Sequence, residues 1–193
     1  MGLLSSFYDA PMESSGIYES VTAVLAEAKQ PVETRWTPET YPFYQFVQEA
    51  WERVDHQPLI DNWHVRALCD HLQATYTLDI QSLLINIPPR KGKSLLVSVL
   101  FHPWCWIMDP GLRFVFFTYN EDLALRDADK ARELIRTDWY QGRWGDRVRL
   151  RGGQGGRVGR VSRYETTAGG FRFSSTIGGR ATGEGGHFRI IDD

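Results

Sequence analysis

Apolar residues recur along the chain in blocks whose spacing changes with position. In Tyr41–Val54 they fall at Phe43, Phe46, Val47, Ala50, Trp51 and Val54, steps of three and four that predict one helical stripe. Asp61-Asn62 is a helix-capping pair ahead of His64–Thr75, where Val65, Leu68, Cys69 and Leu72 share a second face. The run Leu78–Ile87, LDIQSLLINI, predicts a buried strand stopped by Pro88-Pro89. Lys93–Ile107 predicts an apolar helix. The turn Asp109-Pro110-Gly111 then opens a second strand, Arg113–Thr118. Glu121–Thr137 predicts a polar amphipathic helix with Leu123, Ala124, Ala128, Ala131, Leu134 and Ile135 inward.

Strand, helix, strand, helix in the middle of the chain is the pattern of parallel strands joined by crossovers, hence an α/β sheet. From Val148 the texture changes to Gly-rich alternating segments, VRLRGG, VSRYET and FRFSST, which predict antiparallel strands or a hairpin inserted into that sheet. His187–Ile191 is a final apolar run before Asp192-Asp193. Residues 1–40 mix Ser, Pro, Glu and short apolar patches and predict a loosely ordered arm, with one amphipathic helix over Gly16–Lys29. Residues 41–193 are the expected domain.

The 193 residues are 42% hydrophobic and 24% charged, the balance of a globular protein with a core of its own. The longest apolar runs, such as Ser94–Trp106, fall short of the roughly 20 residues that span a bilayer, and Met1–Ala10 lacks the basic and apolar regions of a secretory signal. No membrane is expected as a partner. Cys69 and Cys105 sit in apolar surroundings, as buried thiols in a reducing compartment do. The net charge of −2 hides an asymmetry: residues 1–139 carry 12 Lys+Arg against 19 Asp+Glu, and residues 140–193 carry 10 Arg against 5 acids. Arginine takes phosphate oxygens in a bidentate fork, so this stretch, with Arg149, Arg151 and Arg157 at its centre, is a candidate for the backbone of DNA; a set of solvated hairpin arginines is the plain alternative.

The clearest chemical signal is Ile85-Asn86-Ile87-Pro88-Pro89-Arg90-Lys91-Gly92-Lys93-Ser94. An expected strand enters a tight loop, and Gly-Lys-Ser opens a helix, whose first backbone N–H groups favour an anion. In such a loop Pro89, Arg90, Lys91, Gly92, Lys93 and Ser94 cradle the phosphates of ATP. Lys93 reaches the β- and γ-phosphates and the Ser94 hydroxyl ligates Mg2+. The strict pattern G-x-x-x-x-G-K-[ST] asks for glycine at position 87, where this chain has Ile87. A basic turn capping a helix is the alternative, and it leaves the cations Arg90, Lys91 and Lys93 unexplained.

A phosphate-loop enzyme also needs a strand that delivers a carboxylate to the metal. Phe188-Arg189-Ile190-Ile191-Asp192-Asp193 fits apart from Arg189, which predicts either a strand near the sheet edge or a paired arginine. Asp192 is the candidate metal ligand, expected near Ser94 on the strand next to the phosphate-loop strand. Asp193 stands where a catalytic acid sits, although glutamate is the usual residue there. A strand ending in a polar turn is the alternative.

Together these segments resemble the large subunit of the tailed-phage terminase. The resemblance rests on Phe46–Trp51 followed by Asn62-Trp63-His64, on Pro88-Pro89-Arg90-Lys91-Gly92-Lys93-Ser94, on Trp104, on Thr118-Tyr119-Asn120, on Ala131-Arg132, and on Gly178-Gly179-Arg180-Ala181-Thr182-Gly183-Glu184-Gly185-Gly186 leading into Ile190-Ile191-Asp192-Asp193. It implies a RecA-like, additional-strand P-loop ATPase core with a mainly parallel sheet, a helical N-terminal segment and a Gly/Arg-rich β insertion. It further implies ATP-driven translocation of double-stranded DNA into a procapsid, with the portal protein, the small terminase subunit and a homo-oligomeric ring as partners, in the host cytoplasm at the procapsid portal. Lys93, Arg90 and Asp193 are then the candidate catalytic residues, Ser94 and Asp192 the metal ligands, and His64 the residue that reads adenine. A nuclease domain and a coupling motif are expected beyond Asp193, which makes 41–193 an incomplete ATPase domain by this reading. A helicase-type RecA-like ATPase shares the same loop, and a catalytically dead module that holds nucleotide or DNA is the non-enzymatic alternative. His64 packed beside Trp63 at a helix start is the structural alternative to an adenine role. His102 and His187 have no partners at metal-ligand spacing and are expected to be structural. Trp51, Trp104 and Trp106 are expected in the core.

Overall fold

The computed structural model describes residues 36–152, 163–176 and 185–192. The expected helix over Gly16–Lys29, Arg157, Asp193 and residues 178–184 of the Gly-rich motif lie outside them. The compact unit begins at Trp36, ahead of the expected boundary at Tyr41, because the Trp36 ring packs on Tyr41 and Trp144 at centroid distances of 5.2 and 5.8 Å.

Helix α1, Phe43–Val54, buries the six residues its spacing singled out. It starts after Pro42 with no side-chain cap, and the Phe43 amide is satisfied instead by Gln73 Oε1 of the next helix at 2.9 Å. Helix α2, Trp63–Tyr76, is capped by Asn62, whose side chain accepts from the Trp63 amide at 2.7 Å. It ends at Thr77, and Leu78 follows in the left-handed region at φ 65.

Residues 78–87 correct the first strand expectation. They form no ladder with any described residue. Leu83, Ile85 and Ile87 are half-buried against the core while Leu84 is 93% exposed. Apolar patterning specifies an extended conformation and an inward face, but strand partners are supplied by tertiary structure.

The expected helix after the loop divides in two. Leu95–Leu100 is a π-helical segment, and α3, Phe101–Met108, continues as a regular helix with every residue buried. A helix apolar on all sides is a core helix. Strand β1, Arg113–Thr118, then leads to α4, Glu121–Arg136. Asn120 caps α4 by accepting from the Asp122 amide at 2.9 Å, with Glu121 and Asp122 in the first turn and Arg136 in the last, each on the favourable side of the helix dipole. Helix α5, Asp138–Trp144, was not anticipated. Its signals are the Thr137 cap, whose hydroxyl accepts from the Tyr140 amide, and Tyr140 and Trp144 one turn apart.

Strands β2 (Arg163–Glu165), β3 (Phe171–Thr176) and β4 (Phe188–Asp192) complete a four-stranded mixed sheet ordered β2-β3-β1-β4. β1 pairs in parallel with β3 and β4, and β2 pairs antiparallel with β3. The fold is α/β, with the antiparallel hairpin where the Gly-rich texture placed it. Of VRLRGG only Leu150 joins, through an isolated bridge to Thr166. Gly170 sits where a side chain cannot: an added Cβ would fall 2.2 Å from the Pro110 carbonyl oxygen. β4 is an edge strand of the described sheet, and Arg189 on it is exposed, as its place in the apolar run suggested.

Between sheet and helices lies an aromatic core. Trp104, Trp106, Trp144, Tyr41, Tyr140 and Phe43 are among its largest fully buried members, and Trp51 is 8% exposed. Truncating such a side chain, Phe43→Ala for instance, removes transfer energy and leaves a cavity, about 3–5 kcal/mol. Phe114 of β1 stacks on Phe188 of β4 with centroids 4.9 Å apart and planes 7° from parallel. That pair locks the register that sets Asp192 opposite Thr118 at the C-terminal ends of the strands.

Candidate nucleotide site

The loop Pro88–Ser94 leaves the extended segment and enters the π-helical segment through two residues in the left-handed region, Arg90 at φ 64 and Gly92 at φ 81. Glycine carries this at no cost. Arginine pays strain of about 1–3 kcal/mol, the kind of conformation that concentrates at ligand loops. Added bulk at Gly92 would also approach the Trp51 ring, 3.4 Å from an ideal Cβ.

The loop forms one wall of a cavity of about 940 Å3 that runs from Pro88 to Leu95. Trp51, Leu59, Ile60, Asn62, His64 and Val65 face it from α1, α2 and the segment between them. One side of the cavity is thus basic and hydrogen-bonding, and the other mixes apolar side chains with Asp55, Gln57, Asn62 and His64. His64 is half-buried there with its ring beside exposed Trp63, centroids 6.2 Å apart, so the geometry accommodates both its adenine and its packing reading.

From the sheet side, Asp192 reaches the same loop. Its Oδ1 lies 3.2 Å from Lys93 Nζ, and its Oδ2 accepts from Ser98 Oγ at 3.2 Å. The expectation paired Asp192 with Ser94 on the strand beside a phosphate-loop strand. The segment before the loop is not a strand of the described sheet, and the contacts of Asp192 are to Lys93, next to Ser94 in the chain, and to Ser98. Ser94 occupies the loop wall of the cavity.

Behind Asp192 runs a buried polar chain. Arg172 of β3 is 1% exposed and donates to the Ser98 carbonyl. The same Nη1 lies 3.2 Å from His102 Nδ1, and the guanidinium stands 3.8 Å over the Phe116 ring. A guanidinium has no acceptor, so His102 Nδ1 must accept and its Nε2 carries the proton. Nε2 donates to Tyr164 Oη at 2.9 Å. Burial, reinforced by Arg172, holds the His102 pKa well below its ordinary 6.5, which keeps the imidazole neutral. Burial likewise pushes the Cys69 thiol up to about 12 and the Cys105 thiol well above its usual range, so both are inert, free thiols. His187, exposed at the start of β4, accepts from the Arg113 amide at 3.0 Å, a structural contact.

The arginine-rich stretch divides. Arg172 belongs to the core, which corrects its inclusion among arginines available to a phosphate backbone. Arg143 pairs with Glu49, Arg147 donates to the Met108 carbonyl at 2.9 Å and Arg163 pairs with Glu165 at 3.2 Å. Exposed Arg149 donates to the Gly145 carbonyl at 2.8 Å, and Arg151 reaches Glu165 at 3.4 Å with 60% of its side chain exposed. Sequence reasoning missed Ser98 and the inward role of Arg172. An arginine inside the apolar strand FRFSST was the available signal for the latter.

Among the described residues no cluster of three or more His, Cys, Asp or Glu could hold a metal by itself. Magnesium seldom needs one, since it retains waters and is held by one or two carboxylates together with phosphate oxygens. One carboxylate, a hydroxyl and a cationic loop beside an open cavity fit that donor set. Among the described residues no helix is long and apolar enough to cross a membrane. The chain matches no family model, no curated protein and no solved structure.

Proposed function

We propose that this chain binds a nucleoside triphosphate with magnesium through the Pro89–Ser94 loop, as the ATPase domain of a DNA-packaging motor of the phage-terminase kind. The observation that carries the reading is the meeting of Lys93 with Asp192 at 3.2 Å, at the mouth of a loop that borders a cavity of about 940 Å3. Cation and carboxylate come from segments far apart in sequence and converge at the C-terminal end of a parallel strand, where α/β sheets bind ligands.

In this reading the amides at the helix start and the ammonium of Lys93 hold the phosphates, and Arg90 leans toward the terminal one. Ser94 and Asp192 hold the magnesium, which neutralises charge across the β- and γ-phosphate oxygens. The wall from Trp51 to Val65, apolar at Trp51, Leu59, Ile60 and Val65, receives the base, with His64 beside it. Asp193 is the proposed water-positioning acid. The finer fold assignment, a RecA-like additional-strand core, and the partners double-stranded DNA, portal protein, small subunit and a homo-oligomeric ring rest on the resemblance of the loop and the IIDD strand.

The test is calorimetric titration of the folded chain with ATP and magnesium. Lys93→Ala should abolish detectable affinity, because the phosphate charge loses its main cation. Equal affinity in the variant and the parent would refute the reading. An ATPase assay with and without duplex DNA then separates a motor from a module that binds without turnover.

A further inference from the structure

The helix that follows the loop departs from α geometry at Leu95–Leu100, a π-helical segment of the kind that recurs at functional sites. Ser98 lies inside it and is bonded on two sides. Its hydroxyl donates to Asp192 Oδ2 at 3.2 Å, across 94 residues of sequence. Its carbonyl accepts from Arg172. Pro103, five residues further on, has no amide to offer that carbonyl. The buried guanidinium of Arg172 donates to it. Arg172 makes no ion pair among the described residues, so its cost of burial is offset by the carbonyl, by His102 Nδ1, and by the face of Phe116.

We propose that Ser98 is a positioning residue for Asp192 and that Arg172 holds Ser98 in place for that role. The proposal rests on the reading of the loop as a nucleotide–magnesium site. In that reading the phosphates draw Lys93 away from the carboxylate, and the Ser98 hydroxyl is what then keeps Asp192 turned toward the metal.

The experiment measures ADP affinity of the full 193-residue chain by calorimetry, without metal and across a magnesium titration. Ser98→Ala should leave metal-free ADP affinity unchanged and raise the magnesium midpoint about tenfold, the worth of one hydrogen bond to a charged group. Ser98→Thr, which keeps the hydroxyl, should restore the midpoint. Arg172→Met should raise it as well, with a lower melting temperature; should that variant not fold, the two Ser98 variants decide. A magnesium midpoint unchanged in Ser98→Ala, while Lys93→Ala loses ADP, overturns the positioning role and leaves the nucleotide site standing. No ADP binding by the parent chain, or undiminished binding in Lys93→Ala, overturns both.

Discussion

The Lys93 ammonium and the Asp192 carboxylate stand 3.2 Å apart, joining the start of the loop helix to the C-terminal end of β4. Their side chains are 27% and 10% exposed, so the pair is largely withdrawn from water without being sealed. In an α/β domain this contact ties the helical layer to the sheet edge. It also makes each charge the other's placeholder: whatever anion takes Lys93 frees Asp192 for a cation, and the reverse.

Asp192→Asn tests that reciprocity. The amide still accepts from Ser98, so the strand end stays in place, but Lys93 no longer faces the Asp192 charge. Metal-free ADP affinity should hold or rise, and the gain on adding magnesium should shrink by about tenfold. A calorimetric magnesium response equal to that of the parent would remove Asp192 from the site.

Arg90 separates function from backbone strain. On the proposed reading, in which the Arg90 guanidinium leans toward the terminal phosphate, Arg90→Ala should weaken ATP binding while sparing ADP. Arg90→Gly should do the same and also raise stability by about 1 kcal/mol in denaturant melts, since glycine adopts the φ of 64 freely and alanine does not. Equal weakening of both nucleotides would leave Arg90 as a general electrostatic element of the loop.

The buried imidazole sets a pH dependence. Burial and then Arg172 depress the His102 pKa below its ordinary 6.5, so the unfolded chain binds a proton there that the native state does not. Stability contributed by neutral His102 is present above about 6.5 and is lost as the pH falls from there toward the lower native value. Denaturant midpoints measured down through this window should fall in the parent. In His102→Gln, which cannot gain the proton, that part of the slope should vanish.

The DNA proposal is tested by salt. Affinity for duplex DNA should fall steeply with ionic strength if phosphates are neutralised, since each contact releases counterions. Replacing Arg149, Arg151 and Arg157 with serine should flatten the slope of log affinity against log salt by about one unit per contact removed. An unchanged slope would leave Arg149 and Arg151 with the local roles already visible, on the Gly145 carbonyl and on Glu165.

Much of this molecule is written locally. The stripes of α1, α2 and α4 (apart from Leu123, expected inward but 40% exposed at the first turn of α4), the turn before β1 and the hairpin of β2 with β3 follow from apolar spacing and turn chemistry, which act between residues close in sequence. The composition of the loop, Arg90 through Ser94, likewise announces an anion site before any coordinates. What the sequence could not settle is pairing at a distance. LDIQSLLINI has the apolar content of a buried strand, yet whether it joins a ladder depends on which backbone edge lies beside it, and the described sheet takes β4 at that end instead. The same limit explains Ser98 and Arg172. A serine in an apolar helix and an arginine in an apolar strand look like isolated anomalies, and only the packing of the loop helix against β3 and β4 brings them together. The bond from the Arg172 guanidinium to the Ser98 carbonyl then joins two layers, because buried polar groups take partners wherever the tertiary structure offers them.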